Sequence, residues 1–161
     1  MAVTLNDLRD RTVVAVAEGL QLGRPADLLV DVDDHRLAYV VVAAGAVPDT
    51  AVVAPASALA PLSGSDALAV HGLAALELAY RDQQALGLLR RGLGLIDLQV
   101  VSDAGEELGT IGDIELDDQG AVTAYLVKRG GMGRLLRSLR IAPSEVRSVG
   151  QVVTVSRPAE Q

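Results

Sequence analysis

The stretch Leu22–Gly45, L-G-R-P-A-D-L-L-V-D-V-D-D-H-R-L-A-Y-V-V-V-A-A-G, has a twin in the same chain at Leu108–Gly131. At a constant offset of 86 residues, Val14, Gly19, Leu22, Gly23, Asp27, Asp31, Ala38, Tyr39, Val41 and Gly45 meet ten identical residues without a gap. A duplication of this size restricts the 161 residues to two similar small units, because each copy carries its own apolar pattern and needs its own core. Beyond Gly131 the sequence register slips by two, so that Ala54-Pro55 falls on Ala142-Pro143. The slip predicts an insertion in the loop before that strand. Val152–Val155 then stands where Ala67–Val70 stood.

Within the first copy the pattern is that of short strands. Residues 4–11 are a polar opening turn in which Leu5 and Leu8 cap a core. Thr12–Ala17 is β-branched and reads as a strand, with a turn at Glu18-Gly19. A second strand is expected from near Gln21, with Leu28, Val30 and Val32 on one face and Asp27, Asp31 and Asp33 on the other. Asp33-Asp34-His35 is a hairpin turn, and Arg36–Ala43 is a third strand, apolar on both faces and therefore covered on both. Ala51–Ala54 and Ala67–Val70 read as further strands, with a single helical turn at Pro55–Leu59 between them.

From Gly72 the β-branched residues give way to helix formers. Leu73, Leu76 and Tyr80 share one helical face, and Leu86 and Leu89 resume it, which predicts a linker helix with a break near Gly87. The domain organisation expected is a first unit over 1–71, a helical linker over 72–94 and a second unit over 95–161.

Composition removes several classes of chemistry. The chain has no Cys, which excludes disulfides and thiolate sites; with no Phe, no Trp and three Tyr, its cores are aliphatic. The first residues lack the basic and apolar runs of a secretory signal, and no apolar run reaches the ~20 residues that span a bilayer. A cytoplasmic location is the expectation. A net charge of −7 opposes non-specific attraction to nucleic acid or anionic lipid.

The order of elements carries a resemblance: a strand, a Gly turn, a strand that opens L-G-x-x-x-D and ends in Asp, a hairpin, a strand with A-Y-x-V, a strand, an A-P helical turn and a closing strand. This pattern resembles the PRC-barrel family, named for the cytoplasmic domain of the photosynthetic reaction centre H subunit and found also as the C-terminal part of a ribosome maturation factor. The match covers roughly residues 5–71 and 95–157. It implies a mainly β protein of two small PRC-type β-barrels in tandem joined by a helical linker. It implies no activity, since one fold hosts unrelated functions.

The residues that the two copies share, Gly23, Asp27, Asp31 and Tyr39 with Gly109, Asp113, Asp117 and Tyr125, are then expected to maintain the fold. A strand-interrupting Asp can accept backbone N–H bonds at a bend, and a Tyr packs its ring while its hydroxyl reaches a polar rim. His35 and His71 lack a second ligand at metal-site spacing, and the acids Asp31, Asp33 and Asp34 lack the glycine and distant Glu of a calcium loop. Surface solvation accounts for the histidines and hairpin chemistry for the acids, and no metal or cofactor is expected. No nucleophile stands beside a base in a known motif, and Gly130-Gly131-Met132-Gly133 lacks the Gly-Lys-Ser/Thr of a phosphate loop. A non-enzymatic protein without catalytic residues is the expectation.

One local anomaly remains, and it lies where the copies diverge. Lys128–Arg140 carries five basic residues and no acid. Met132, Leu135, Leu136 and Leu139 follow i, i+3, i+4, i+7 spacing, with Arg134, Arg137 and Arg140 beside them, so a short basic amphipathic helix is expected. Such a segment meets an acidic protein partner, lies on a membrane surface or contacts RNA phosphates, unless it caps the second barrel and pairs with the first. The leading reading is an adaptor that binds another protein through barrel surfaces and this segment. The alternatives are an RNA- or ribosome-associated maturation role, which the lack of stacking aromatics disfavours, and a membrane-peripheral or photosynthetic-complex assembly role.

Overall fold

The computed structural model describes residues 2–63, 66–91, 94–129 and 137–156. Its strands in chain order are β1 (Val3–Thr4), β2 (Thr12–Ala15), β3 (Leu20–Gly23), β4 (Asp27–Asp31), β5 (Arg36–Ala43), β6 (Val52–Pro55), β7 (Ala67–Val70) and β8 (Glu77–Leu78). They continue as β9 (Gln99–Ser102), β10 (Glu107–Leu116), β11 (Val122–Arg129), β12 (Arg137–Ile141), β13 (Val146–Val149) and β14 (Val153–Val155). The helices are α1 (Leu5–Arg9) and α2 (Gln83–Arg91). The protein is therefore mainly β. It divides into two units, Met1–Gly92 with Leu116–Ala121, and Leu93–Glu115 with Val122–Gln161.

In the second unit one sheet runs in the order β12-β11-β10-β9-β14-β13, with β9 and β14 parallel and the pairs β12–β11, β10–β9 and β14–β13 antiparallel. The first unit has a matching order in two pieces, β8-β6-β5-β4 and β3-β2-β7, with β8 in addition and no strand in the place of β13 among the described residues. The division falls where the first copy has Arg24-Pro25-Ala26 and the second has Thr110-Ile111-Gly112. Proline cannot donate to a ladder, so the single strand expected from Gln21 is split into β3 and β4, while Ile111 lets β10 run through. Alternation also fails inside β4: a register shift between Leu29 and Val30 puts both Leu28 and Leu29 in the core.

Pairing corrects the expected slip of two residues. Tyr39, Val40 and Val41 pair with Pro55, Ala54 and Val53, and Tyr125, Leu126 and Val127 pair with Ile141, Arg140 and Leu139. Both members of every pair keep the offset of 86, so the displacement of the second Ala-Pro enters after the paired residues and not in the loop before them.

The expected linker helix forms only over Gln83–Arg91, with Gly87 inside it. Residues 73–75 and 79–81 are single 3-10 turns, and Glu77-Leu78 is a strand on the edge of β6, paired Val52 to Leu78 and Val53 to Glu77. Leu73 and Tyr80 are 39% and 50% exposed, so they share no buried helical face. A sheet edge offers backbone partners that outweigh the few tenths of a kcal/mol per residue separating helix formers from the rest. Buried Ala79 and Ala85, with Leu86, Leu88 and Leu89 partly buried beside them, cover Leu29, Tyr39, Val41, Ala51 and Val53. The apolar outer face of β5 is thereby closed by its own chain. The opposite side buries Leu37 and Val40. The second unit has a comparable aliphatic core of Val100, Ile111, Ile114, Val127, Ile141 and Val155.

Candidate interaction surface

Of the basic segment, Met132, Arg134, Leu135 and Leu136 lie outside the described residues. Arg137, Leu139 and Arg140 are not helical. They belong to β12, which runs antiparallel to β11 with Lys128 opposite Ser138 and Arg129 opposite Arg137. The reason is energetic: a helix of so few residues is marginal, whereas every residue of β12 gains a cross-strand neighbour. Leu139 is half-buried, Ile141 is buried and Arg140 is exposed, the alternation of a strand with one wet face.

Arg140 meets an acid that the sequence did not single out. Its Nη1 donates to Glu115 Oε2 at 3.0 Å and its Nη2 to Glu115 Oε1 at 2.9 Å, a two-pronged pairing across β10 and β12. The Thr123 hydroxyl on β11 donates to Glu115 Oε1 at 2.9 Å. These donors, Arg140 first, hold the Glu115 carboxyl below the usual carboxylate range. Lys128 lies with its stem over Gly112, where a side chain would overlap it, and its Nζ is 3.9 Å from Asp97. Lys128 and Arg129 are both exposed at the end of β11. This part of the second unit therefore gathers basic residues along one strand pair, with Lys128 and Arg140 each facing an acid.

The shared residues occupy matching positions. Asp27 Oδ1 accepts the Leu28 amide at 2.8 Å, and Asp113 Oδ1 accepts the Ile114 amide at 2.8 Å. Asp31 Oδ1 accepts from the amides of Asp33 and Asp34, and Asp117 Oδ1 from those of Gln119 and Ala121, so each closes its hairpin as an Asx turn. Gly23 and Gly109 have φ of 87° and 135°, and a Cβ on Gly109 would overlap the Lys128 carbonyl. Tyr39 and Tyr125 are buried at the centres of β5 and β11. Burial first, and then the hydrogen bond to Asp82, pushes the Tyr39 phenol well up from its ordinary value. Carboxylates bound to their own turns are poor candidates for acid-base work.

A cleft of about 240 Å³ in the first unit is lined by Arg36, Leu59, Leu62, Asp118 and Gln119 among others. Several polar groups at this cleft are engaged with one another: Arg36 Nη2 donates to the Gln119 carbonyl, the Leu62 amide to the Asp118 carbonyl and the Ser63 amide to Asp118 Oδ1. Local spacing carries no signal for these pairings, which join residues more than fifty positions apart. Among the described residues no group of three His, Asp or Glu side chains converges as a metal site, and no helix is long and apolar enough to cross a membrane.

The family model of the PRC-barrel domain matches residues 94–161. Over these residues the chain is similar to the PRC-barrel family. The match takes in β9 to β14, and with them the basic strand pair. No curated protein matches the chain. Within the matched residues the A-Y-x-V strand is β11, and the A-P turn is the 3-10 turn Pro143–Glu145 that follows β12.

Proposed function

We propose that the chain is a tandem PRC-barrel protein that works as a non-enzymatic adaptor, binding another protein through its barrel surfaces and the segment 132–140. The observation that carries the reading is the basic strand pair. In a chain of net charge −7, Lys128, Arg129 and Arg137 meet at one end of the β11–β12 strand pair, and Arg140 follows along β12 opposite Leu126. The common strand order and the shared pairing offset of 86 support counting Met1–Gly92 as a second PRC-type barrel. Carboxylates committed to turns, and the engaged polar groups of the first-unit cleft, support a binding role over a catalytic one. The test is capture from a native lysate by the intact chain and by an Arg129→Glu/Arg137→Glu variant, leaving Arg140 and its Glu115 partner intact. A protein retained by the first and lost by the second supports the adaptor; an unchanged set of captured proteins overturns it.

The same basic strand pair favours a second reading, an RNA- or ribosome-associated role. Phosphate contacts made by a few cations give binding that falls steeply with salt. Co-sedimentation with ribosomal subunits that weakens by roughly tenfold or more between low and moderate salt supports it over the adaptor.

A further inference from the structure

We propose that the outer edge of β12 accepts an extended acidic and apolar segment of a partner protein as an added antiparallel strand. This deepens the adaptor reading and rests on it. The first unit supplies the precedent inside the same chain. There the strand in the equivalent position, β6, does not end its sheet, because β8 lies along it. The Ala79 amide donates to the Ala51 carbonyl at 2.8 Å, and Val53 stands opposite Glu77. In an antiparallel ladder bonded pairs alternate, so the main-chain groups of Ala51 and Val53 point outward to β8, and those between them point to β5.

The offset of 86 carries Val53 onto Leu139, and the unbroken ladder of β11 with β12 extends the alternation to Arg137. The main-chain groups of Arg137 and Leu139 therefore face outward. In the second unit β12 is the terminal strand of its sheet, and among the described residues no strand lies along that outer side. Outward N–H and C=O groups on a terminal strand are a template for strand addition.

The neighbouring side chains select the chemistry of the occupant. Lys128 and Arg129 are exposed on the adjoining strand, and Leu139 is half-buried beside buried Ile141. A strand that alternates acids with aliphatic residues matches both, much as Glu77-Leu78 does on β6. The net negative charge of the chain does not prevent this, because at physiological salt charges beyond ~8 Å are largely screened.

The probe is a synthetic peptide of about eight residues, a usual strand length, alternating Glu and Val. Two controls accompany it: a Lys/Val counterpart, and the Glu/Val peptide N-methylated at alternate residues so that charge and shape persist while main-chain donors are lost. Amide hydrogen exchange is followed on the full-length chain. The expected result is exchange at Arg137 and Leu139 slowed by roughly tenfold or more by the Glu/Val peptide, with both controls at least roughly tenfold weaker in affinity. Unprotected Arg137 and Leu139 amides under saturating peptide, or equal binding of the N-methylated peptide, would overturn the inference. If strand addition fails while the Arg129→Glu/Arg137→Glu variant still loses its protein partner, the adaptor reading stands without it. Protection by the peptide with no charge-dependent partner in the lysate overturns the adaptor reading alone.

Discussion

The hydroxyl of Tyr39 donates to Asp82 Oδ2 at 2.7 Å, while Oδ1 of the same carboxylate accepts the Ala85 amide at 3.1 Å. One side chain thus ties the centre of β5 to the first turn of α2. Tyr39→Phe removes one of these bonds and is expected to lower the stability of the first unit by about 1–2 kcal/mol. Asp82→Ala removes both, including a helix cap of about 1 kcal/mol, and is expected to cost more. Urea midpoints of the two single variants and the double variant check this. The double variant should fall short of the sum, because both changes break the same bond.

The same contact makes the first unit sensitive to alkali. A phenol whose folded pKa is raised, by burial first and then by Asp82, holds its proton after the unfolded chain has released its own. Its contribution is complete below the ordinary value of about 10 and is lost as pH rises beyond it. Denaturant midpoints measured from neutral pH to about pH 11 should fall at the alkaline end. They should fall less steeply in Tyr39→Phe, and an unchanged slope would count against the contact.

Glu115 gives the opposite dependence in the second unit. Its carboxyl is held down by Arg140 first and by Thr123, so its contribution is present above the unfolded value of about 4.3 and is lost as pH falls through the folded one. Glu115→Gln should flatten the acid limb of stability against pH and leave the neutral-to-alkaline limb unaltered. Raised salt should have a weaker effect on this pair than on Arg24 and Asp10, which are 3.9 Å apart and both highly exposed.

Two glycines separate backbone strain from steric overlap. At Gly23 an added Cβ meets nothing within 4 Å, so Gly23→Ala should cost only the left-handed penalty of about 1–2 kcal/mol. Gly109 also has a positive φ, but its Cβ would run into the Lys128 carbonyl of β11. Gly109→Ala should therefore be the more damaging variant, and loss of cooperative thermal unfolding in it but not in Gly23→Ala is the expected contrast.

Much of the fold was legible because period-two patterns and turn residues act locally. Arg36–Ala43 and Ala67–Val70 form with the expected bounds, and the Asp33-Asp34-His35 turn is closed by Asp31, with His35 at a positive φ of 51°. Two stretches deceived the pattern. Leu73–Leu78 is composed of helix formers yet supplies an edge strand, and Arg137–Arg140 carries helical spacing yet pairs with β11. In both, a ready-made sheet edge supplied backbone partners that a short helix had to provide for itself. Of the basic surface, charge and place in the chain were readable in advance. Glu115 was not, because its link to Arg140 depends on strand pairing across twenty-five positions.

The sequence by itself determined that there are two related units, that their cores are aliphatic, and where the shared glycines and aspartates stand. These follow from residue type and spacing, which act over a few neighbours or simply repeat. Only the tertiary structure decided that β6 carries a covering strand while β12 ends its sheet among the described residues, that Tyr39 is tied to α2, and that Arg140 is braced by Glu115. Each of those depends on which distant backbone reaches an edge or a face first. That is settled by the geometry of pairing and packing, which local spacing does not encode.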